Sequence, residues 1–289
     1  MPTPSEHTIE QARIPAQTFL MGDRLGDGKP SDGETPVHTV SLDAFSIDAT
    51  SVTNADFARF VNATGYETEA ETFGYSAVFH LAVSAPQGDV MGAAAGTPWW
   101  VGVHGADWAH PGGAESDIDG LADHPVVHVS WTDAQSYCDW AGRLLPTEAQ
   151  WEAASRGGLD GARFPWGDER EDWRMNIWQG RFPAENTLDD GYLTTAPART
   201  YQPNAYGLWQ SVGNVWEWCA DWWNPTYYNV SPPHEPHGPD VGQVRVLRGG
   251  SYLCHDSYCN RYRNAARSSN TPDSSMGNAG FRTVAKARS

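Results

Sequence analysis

Three stretches of the chain have apolar side chains spaced as on one face of an α-helix. The first helix is expected to follow Thr53 or Asn54. The second is expected to begin near Thr132 and the third at Thr147, where Thr147 and Gln150 match a helix capping box. The apolar positions of the first two helices are Phe57, Phe60 and Val61, and Ala134, Tyr137, Cys138 and Ala141.

Most of the remaining chain alternates short apolar runs with turn-forming residues, which predicts short strands joined by irregular loops. Residues 38–48 are one such run. Residues 80–125 form a long connection rich in Gly, Pro, Ala and Trp, which is typical of a functional loop. Residues 1–12 lack periodicity and aromatic residues and are predicted to be a disordered tail. We therefore expect one irregular, loop-rich α+β domain over residues 13–289.

Composition narrows the functions that this domain can have. The formal net charge is −17, with 36 acidic and 19 basic residues, which disfavours nucleic-acid partners because these require clustered cations. No apolar run approaches the ~20 residues of a membrane-spanning helix, so no membrane partner is expected. Residues 1–15 lack the features of a signal peptide, and the chain has four cysteines. We therefore expect a cytoplasmic protein and a monomer.

Two of the cysteines, Cys254 and Cys259, lie close together in a segment rich in glycine, aromatic residues and arginine. At this spacing the side chains lie on opposite faces of a strand and about 140° apart on a helix, so the sulfurs meet only if the segment bends. Zinc is disfavoured because no second cysteine pair completes four ligands. A disulfide, a redox-active thiol pair, a Cu(I) site and two structural thiols all stay open.

Two segments before this pair, residues 176–192 and 207–218, are rich in carboxylate and amide oxygens beside turn-forming glycines. Ca²⁺ binds about six to eight such oxygens. The spacing differs from that of an EF-hand loop, and solvated turns produce the same composition. The residues alone thus leave a calcium site and ordinary turns as alternatives. The oxygen-bearing side chains are Asn176, Asp189, Asp190, Gln210, Asn214 and Glu217.

Residues 248–282, which read RGGSYLCHDSYCNRYRNAARSSNTPDSS and then NAGFR, resemble the C-terminal active-site segment of the formylglycine-generating enzymes. IPAQTFLMGD, FARFVNATGYETEAETFG, GTPWWVGVHGADWAHP and FPWGDE match the same family in order, so the resemblance covers residues 13–285. RLLPTEAQWE, GNVWEW and RGGS are shared with a wider superfamily, whereas the Cys254-x4-Cys259 pair distinguishes the formylglycine generators. The resemblance implies their fold, which belongs to the C-type-lectin-like superfamily.

The resemblance also implies an activity. Such enzymes use O₂ to oxidise the cysteine of a Cys-x-Pro-x-Arg motif in unfolded type I sulfatases to Cα-formylglycine. Cys254 and Cys259 would bind Cu(I), the substrate thiolate would join them, and an external thiol reductant would supply electrons. Because the chain is acidic, we expect its carboxylates to receive the substrate arginine.

Further site residues follow from the same resemblance. Ser251 and Trp216 match positions that line the family's active site, and His255 and Asn278 are additional candidates. Two structural calcium sites are implied, with Gln210 standing where asparagine is expected. The first would use Asn176, Asp190 and the carbonyls of Ile177 and Tyr192, and the second Gln210, Glu217 and the carbonyls of Gly213 and Val215.

Two alternatives within the superfamily are a catalytically silent peptide-binding paralogue and an iron-dependent sulfoxide synthase. The silent paralogues are expected to lack the cysteine pair, and the synthases to carry an additional histidine-bearing helical domain. Eukaryotic formylglycine generators carry extra cysteines, at places where this chain has Asn264 and Thr283, which leaves Cys138 without a partner. The resemblance therefore favours a bacterial, cytoplasmic, copper-dependent oxidase.

Overall fold

The predicted helices form where their capping residues indicate, in a computed structural model that describes residues 7–171 and 173–286. The helices of this part are α1 (Asn54–Thr64), α2 (Glu69–Phe73), α3 (Trp131–Ala141) and α4 (Glu148–Ser155). The three predicted helices are confirmed, and α2 was not predicted. Each begins with a capping box, formed by Thr53 with Asp56, Thr68 with Glu71, Ser130 with Asp133, and Thr147 with Gln150. None of these helices is long and apolar enough to span a membrane.

The strands are short and form several small sheets, as the alternating runs predict. In chain order they are β1 (Gln11–Ile14), β2 (Gln17–Met21), β3 (His38–Leu42), β4 (Phe45–Asp48), β5 (Tyr75–Phe79), β6 (Val90–Ala94), β7 (Thr97–His104), β8 (Arg143–Leu144), β9 (Gly180–Arg181), β10 (Glu185–Asn186), β11 (Trp216–Trp222), β12 (Arg245–Arg248), β13 (Arg267–Asn270), β14 (Ala279–Gly280) and β15 (Val284–Ala285). The sheet orders are β1-β4-β15-β8, β13-β12-β11-β14, β5-β7-β6, β2-β3 and β10-β9. The α+β, loop-rich fold class is therefore confirmed.

Two sequence-based boundaries were wrong. The predicted tail is too long: residues 1–6 lie outside the described residues, but Gln11 and Ala12 belong to β1 and pair with β4. The run was too short to stand out, yet Ala12 and Ile14 alternate inward and are buried. The connection over residues 80–125 also contains a hairpin, because β6 and β7 pair antiparallel and β7 pairs with β5.

Buried ion pairs attach the sheet β13-β12-β11-β14 to α4. Glu148 accepts from Arg248 at 2.8 Å and from Arg267 at 2.6 Å, and Arg248 also pairs with Glu152. Removing one partner of a buried pair costs about 3–5 kcal/mol, because the other charge is left uncompensated. The ends of β12 and β13, which flank the cysteine pair, are thereby held in place. The largest fully buried side chains include Arg248, Arg263, Arg267 and Arg282.

Candidate active site

The two cysteines lie on the cysteine loop (residues 249–266), which joins β12 to β13. The Sγ atoms of Cys254 and Cys259 are 2.7 Å apart, longer than the ~2.05 Å of a disulfide bond, and both thiols are free and buried. Successive turns bring them together, since the amides of Tyr258 and Cys259 both donate to the carbonyl of His255. The expectation that the sulfurs meet only on a bent segment is therefore confirmed.

The two thiols differ in charge. The hydrogen bond from the Cys254 thiol lowers the pKa of Cys259 to about 7, assisted by N–H donors of Arg261 and opposed by burial. Burial raises the pKa of Cys254, which acts as the donor of the pair. At neutral pH the pair is thus poised to hold one negative charge, mainly on the Cys259 sulfur.

Three further predicted residues lie together beside the pair. The Asn278 amide nitrogen donates to Ser251 Oγ at 2.8 Å, while its own Oδ1 is buried with no hydrogen-bond partner in the part of the chain that the structure describes. The backbone N–H of Trp216, the first residue of β11, donates to the Asn278 carbonyl at 2.8 Å. The carbonyl of Ser251 accepts from the Cys254 amide at 2.9 Å. Ser251, Asn278 and Trp216 therefore form one hydrogen-bonded group at the start of the cysteine loop.

A half-open cavity of about 260 Å³ is lined by His255, the residue that follows Cys254 in the chain, and by residues of the segment 170–189. His255 lines it and is half-buried, with its Nδ1 atom 2.8 Å from Ser257 Oγ. Trp178 also lines it, and its backbone N–H donates to the Cys254 carbonyl at 3.1 Å. The cavity is large enough for a few side chains of a ligand, and two of its lining residues, His255 and Trp178, are bonded or hydrogen-bonded to the backbone of Cys254.

An aromatic cluster on the same side was not predicted from the sequence. Tyr258, which lies between the two cysteines, stacks on Phe182 with ring centroids 4.5 Å apart. Its ring also meets Trp99 edge to face at 4.8 Å. The sequence signal was the tyrosine inside the Cys-x4-Cys segment and the Pro-Trp-Trp run of the long connection. Only the tertiary fold makes these distant aromatics neighbours.

The residues of the first predicted calcium site are Asn176, Ile177, Asp190 and Tyr192, which we call the first oxygen set. Side-chain hydrogen bonds hold these residues together. Gln179 donates to the carbonyl of Ile177 and accepts from the backbone N–H of Asp190. The Asp190 carboxylate accepts from the Tyr192 amide at 3.0 Å and from the Tyr201 hydroxyl at 3.1 Å, both neutral donors. Its negative charge therefore stays available for a cation. Asn176 is buried nearby, and its amide nitrogen donates to the carbonyl of Thr194 and to Asn214 Oδ1.

The residues of the second predicted calcium site, Gln210, Gly213, Val215 and Glu217, form the second oxygen set. Its carboxylate, unlike Asp190, is paired with an arginine. Both Glu217 oxygens accept from the Arg282 guanidinium, at 2.7 and 2.8 Å, and also from Trp151 and Ser51. Gln210 donates to the Pro197 carbonyl, and its Oε1 is buried and has no hydrogen-bond partner among residues 7–171 and 173–286. The orphaned oxygen suits a cation, but the one carboxylate of the set is already neutralised. This set therefore fits Ca²⁺ only in part.

Comparison with known proteins places this arrangement in a family. The profile of the "Sulfatase-modifying factor enzyme 1-like domain" matches residues 1–287. The chain belongs to this family. A formylglycine-generating enzyme of Streptomyces coelicolor is 66% identical over 278 residues, which are 95% of this chain and 88% of that protein. The predicted resemblance and the prediction of an enzyme are therefore confirmed.

Two more distant relatives share the family or the fold, and one of them is named as inactive. A Mus musculus protein named inactive C-alpha-formylglycine-generating enzyme 2 is 43% identical over 95% of this chain and 85% of its own length. PvdO from Pseudomonas aeruginosa has a TM-score of 0.69 at 22% identity, covering 96% of this chain and 94% of its own, and shares the fold. Because active and inactive relatives share the family, activity must be argued from the cysteine pair itself.

Proposed function

We propose that this protein converts the cysteine of a Cys-x-Pro-x-Arg motif in type I sulfatases to Cα-formylglycine, using O₂ and copper. The observation that carries the proposal is the pair of free, buried thiols in contact, with the next residue, His255, lining an accessible cavity. The high identity to a protein named formylglycine-generating enzyme supports the same activity. The silent-paralogue alternative is disfavoured because the sulfur pair that it is expected to lack is assembled here.

The donor set of the site suits a soft metal ion. Cys254 and Cys259 supply two sulfurs, and no group of three or more His, Cys, Asp or Glu side chains occurs in residues 7–171 and 173–286 that would suit a harder ion. Cu(I) prefers thiolate ligands, and when bound it would supply the activation of O₂ and a place for the substrate thiolate. Cys254 and Cys259 are the residues that would hold it.

The surrounding residues orient the substrate and exclude water. Ser251 Oγ accepts from Asn278 and from the Leu253 amide, which leaves its own O–H available to donate to a bound substrate or oxygen species. Trp216 packs in the same apolar cluster as both cysteines and keeps water from the sulfurs. His255 and Trp178 line the route by which a peptide cysteine reaches the pair.

The overall reaction needs an external reductant. The substrate CH₂–SH group, O₂ and a pair of reducing thiols give the aldehyde, hydrogen sulfide, water and one disulfide, so atoms and electrons balance. Cys138 and Cys219 are free as well as the active pair, which fits a reducing, cytoplasmic compartment. The partners are an unfolded sulfatase segment and a small thiol, and the working unit is a monomer.

We propose calcium as a structural ion at the first oxygen set. Asp190 supplies a carboxylate whose hydrogen-bond donors in residues 7–171 and 173–286 are neutral, and Asn176 and the carbonyls of Ile177 and Tyr192 complete the candidate ligands. Bound there, the ion would tie together the irregular segments around residues 176–192. It takes no part in the chemistry.

The deciding experiment incubates the copper-loaded protein with a Cys-x-Pro-x-Arg peptide, O₂ and a thiol reductant. Mass spectrometry of the peptide should show replacement of the thiol by an aldehyde. A peptide with alanine in place of the motif arginine should show a raised KM, because the acidic protein surface receives that arginine. An unchanged parent peptide, with copper demonstrably bound, would contradict the proposed activity.

A further inference from the structure

The long connection over residues 80–125 folds over a second cavity, which has a volume of about 230 Å³ and is half open to solvent. Trp108, Ile118 and Leu121 of the connection line it, and Val78 and Phe79 of β5 extend its apolar walls. None of the described residues lines both this cavity and the one at His255. The sequence-based expectation that the connection is a functional loop thus has a structural counterpart, which we call the connection cavity.

Hydrogen bonds hold the part of the connection that covers this cavity. The Gly112 carbonyl accepts from the Ser84 amide at 2.7 Å, and the Gly112 amide donates to Ser116 Oγ at 2.8 Å. The buried His128 places its Nε2 atom 2.8 Å from the carbonyl of Pro111, which also lines the cavity. The connection cavity is therefore preformed, as binding sites for small molecules usually are.

Two residues that line the connection cavity carry a buried polar atom with no hydrogen-bond partner in the part of the chain that the structure describes. These atoms are Trp108 Nε1, a donor, and Asn54 Oδ1, an acceptor. The Asn54 amide nitrogen donates to the Leu121 carbonyl at 2.8 Å, which fixes the orientation of the amide. Because an unpaired buried donor or acceptor is unfavourable, a ligand that pairs with both atoms would be favoured.

The unpaired donor and the unpaired acceptor belong to the same region of the wall. The Trp108 ring meets the Phe57 ring edge to face, with the centroids 5.4 Å apart. Phe57 follows Asn54 by three residues in α1, so the two side chains project from the same face of that helix. One molecule in the cavity is therefore within reach of both residues.

The size and charge of the connection cavity define the class of ligand. An apolar cavity of about 150 Å³ holds benzene, so this larger cavity has room for a six-membered ring with a small polar group. Among the described residues, those that line the cavity include no Lys, Arg or His, and Asp117 is the charged one. A carboxylate ligand would find no cation there, whereas an uncharged amide offers a C=O to the Trp108 indole and an N–H to Asn54.

The connection cavity is separate from the cysteine pair but adjoins the segments that support it. Tyr252 and Gly277 line the cavity, and the Tyr252 hydroxyl donates to the Gly277 carbonyl at 2.9 Å. These two residues precede or follow Ser251 and Asn278 directly in the chain. A molecule in the cavity would therefore lie against the backbone that carries Ser251 and Asn278, on walls that include neither cysteine.

We propose that the connection cavity is a second binding site, which takes a small, uncharged, largely apolar molecule with one hydrogen-bond acceptor and one donor, such as a cyclic or aromatic amide. The Trp108 indole N–H donates to the carbonyl of this ligand, and Asn54 Oδ1 accepts from its N–H. The inference goes beyond the proposed oxidation of a sulfatase cysteine and requires neither copper nor a peptide.

The test measures the binding of benzamide and of benzoate to the full chain at pH 7 by ligand-observed NMR titration. Benzamide should bind, and benzoate should bind at least ~10-fold more weakly, because its charge would be buried without a cation. Trp108→Phe keeps an aromatic ring and removes the N–H, so the Kd for benzamide should rise about 5-fold. Ala82→Leu, which fills part of the cavity, should raise that Kd at least ~10-fold.

Trp223→Phe is the matched control. The Trp223 Nε1 atom is also buried without a partner among the described residues, but Trp223 does not line the connection cavity, so this variant should bind benzamide as the wild type does. Urea unfolding shows which variants fold, and if Trp108→Phe does not, Ala82→Leu and the benzoate comparison decide. No binding of benzamide, equal binding of benzoate, or full affinity in folded Trp108→Phe or Ala82→Leu would overturn the inference. Peptide oxidation is measured separately, so its failure would contradict the proposed function and leave this site unaffected.

Discussion

The four cysteines of this chain are all buried but lie in two contrasting environments. Cys138 lies in α3 and Cys219 in β11, and burial raises the pKa of both thiols. The neighbouring carboxylates of Asp221 and Glu148 raise the pKa of Cys219 further. Cys259 is buried to a similar degree, yet its pKa falls to about 7, because a thiol and an arginine donate to it. Burial alone thus makes a cysteine inert, and the hydrogen-bond donors around it decide whether it becomes a thiolate.

The largest expected difference between the two environments is in activity. Cys254→Ala and Cys259→Ala should each reduce formylglycine formation to background, because either change removes one of the two proposed sulfur ligands. Cys138→Ala and Cys219→Ala should keep turnover within a few-fold and cost about 1–2 kcal/mol in the free energy of unfolding. Conversion of the motif peptide, followed by mass spectrometry, measures the first effect, and urea unfolding the second. Full activity in Cys259→Ala would contradict the proposal that the Cys254–Cys259 pair, and not Cys138 or Cys219, is required for activity.

Reactivity toward an alkylating reagent sharpens the same contrast. In the metal-free protein at pH 7, Cys259 should be labelled at least ~10-fold faster than Cys138 or Cys219, because only the thiolate is nucleophilic. Peptide mass spectrometry after a short pulse of iodoacetamide gives the order of labelling. Labelling of a urea-unfolded control should make all sites equivalent. Faster labelling of Cys138 than of Cys259 in the folded protein would contradict the assigned environments.

The two oxygen sets differ in the same way, because the carboxylate of the first has neutral hydrogen-bond donors and the carboxylate of the second is paired with a guanidinium. Asp190 meets neutral donors, whereas Glu217 is paired with Arg282, so we expect one tightly bound Ca²⁺ per chain. Saturating Ca²⁺ at 100 times its Kd stabilises the folded state by about 2.7 kcal/mol, so EDTA should lower the Tm by several degrees. Asp190→Asn should abolish this sensitivity, while a surface control such as Asp117→Asn should retain it. An EDTA effect that survives in Asp190→Asn would place the ion elsewhere.

The smallest expected effect concerns Asp221, the buried carboxyl near Cys219. Burial and the charge of Glu148 raise the pKa of Asp221 to about 8, so the folded state holds a proton that the unfolded chain releases near pH 4. The stability from this group is complete below pH 4 and is lost as pH rises toward 8. In Asp221→Asn, whose amide oxygen can still accept from the Glu148 N–H, that loss should disappear. Urea unfolding at pH 5 and pH 8 should show a pH dependence smaller by about 1–3 kcal/mol than in the wild type. An identical pH dependence would show that Asp221 is ionised in the folded state.

Local features could be predicted wherever a few neighbouring residues control them. The capping boxes at Thr53 and Thr147 mark helix starts because each links a side chain to a backbone group only three residues away. The spacing of Cys254 and Cys259 required a bend for the same local reason. The short β1 strand was missed because its pairing with the distant strand β4, and not its own periodicity, stabilises it. The β6–β7 hairpin was also missed, although its two strands are adjacent in sequence, and β7 pairs in addition with β5.

The sequence by itself determined the family, the capped helices and the cysteine pair for which we propose the sulfur chemistry. The tertiary structure decided what each charged group meets. It pairs Arg261 with Asp32 across 229 residues, commits Glu217 to Arg282 and leaves Asp190 with neutral donors. The physical reason is that a carboxylate or thiol takes its charge and reactivity from the donors within hydrogen-bond distance. For Asp32 and Glu217 those donors come from segments far apart in sequence, whereas for Asp190 they lie two and 11 residues further along the chain.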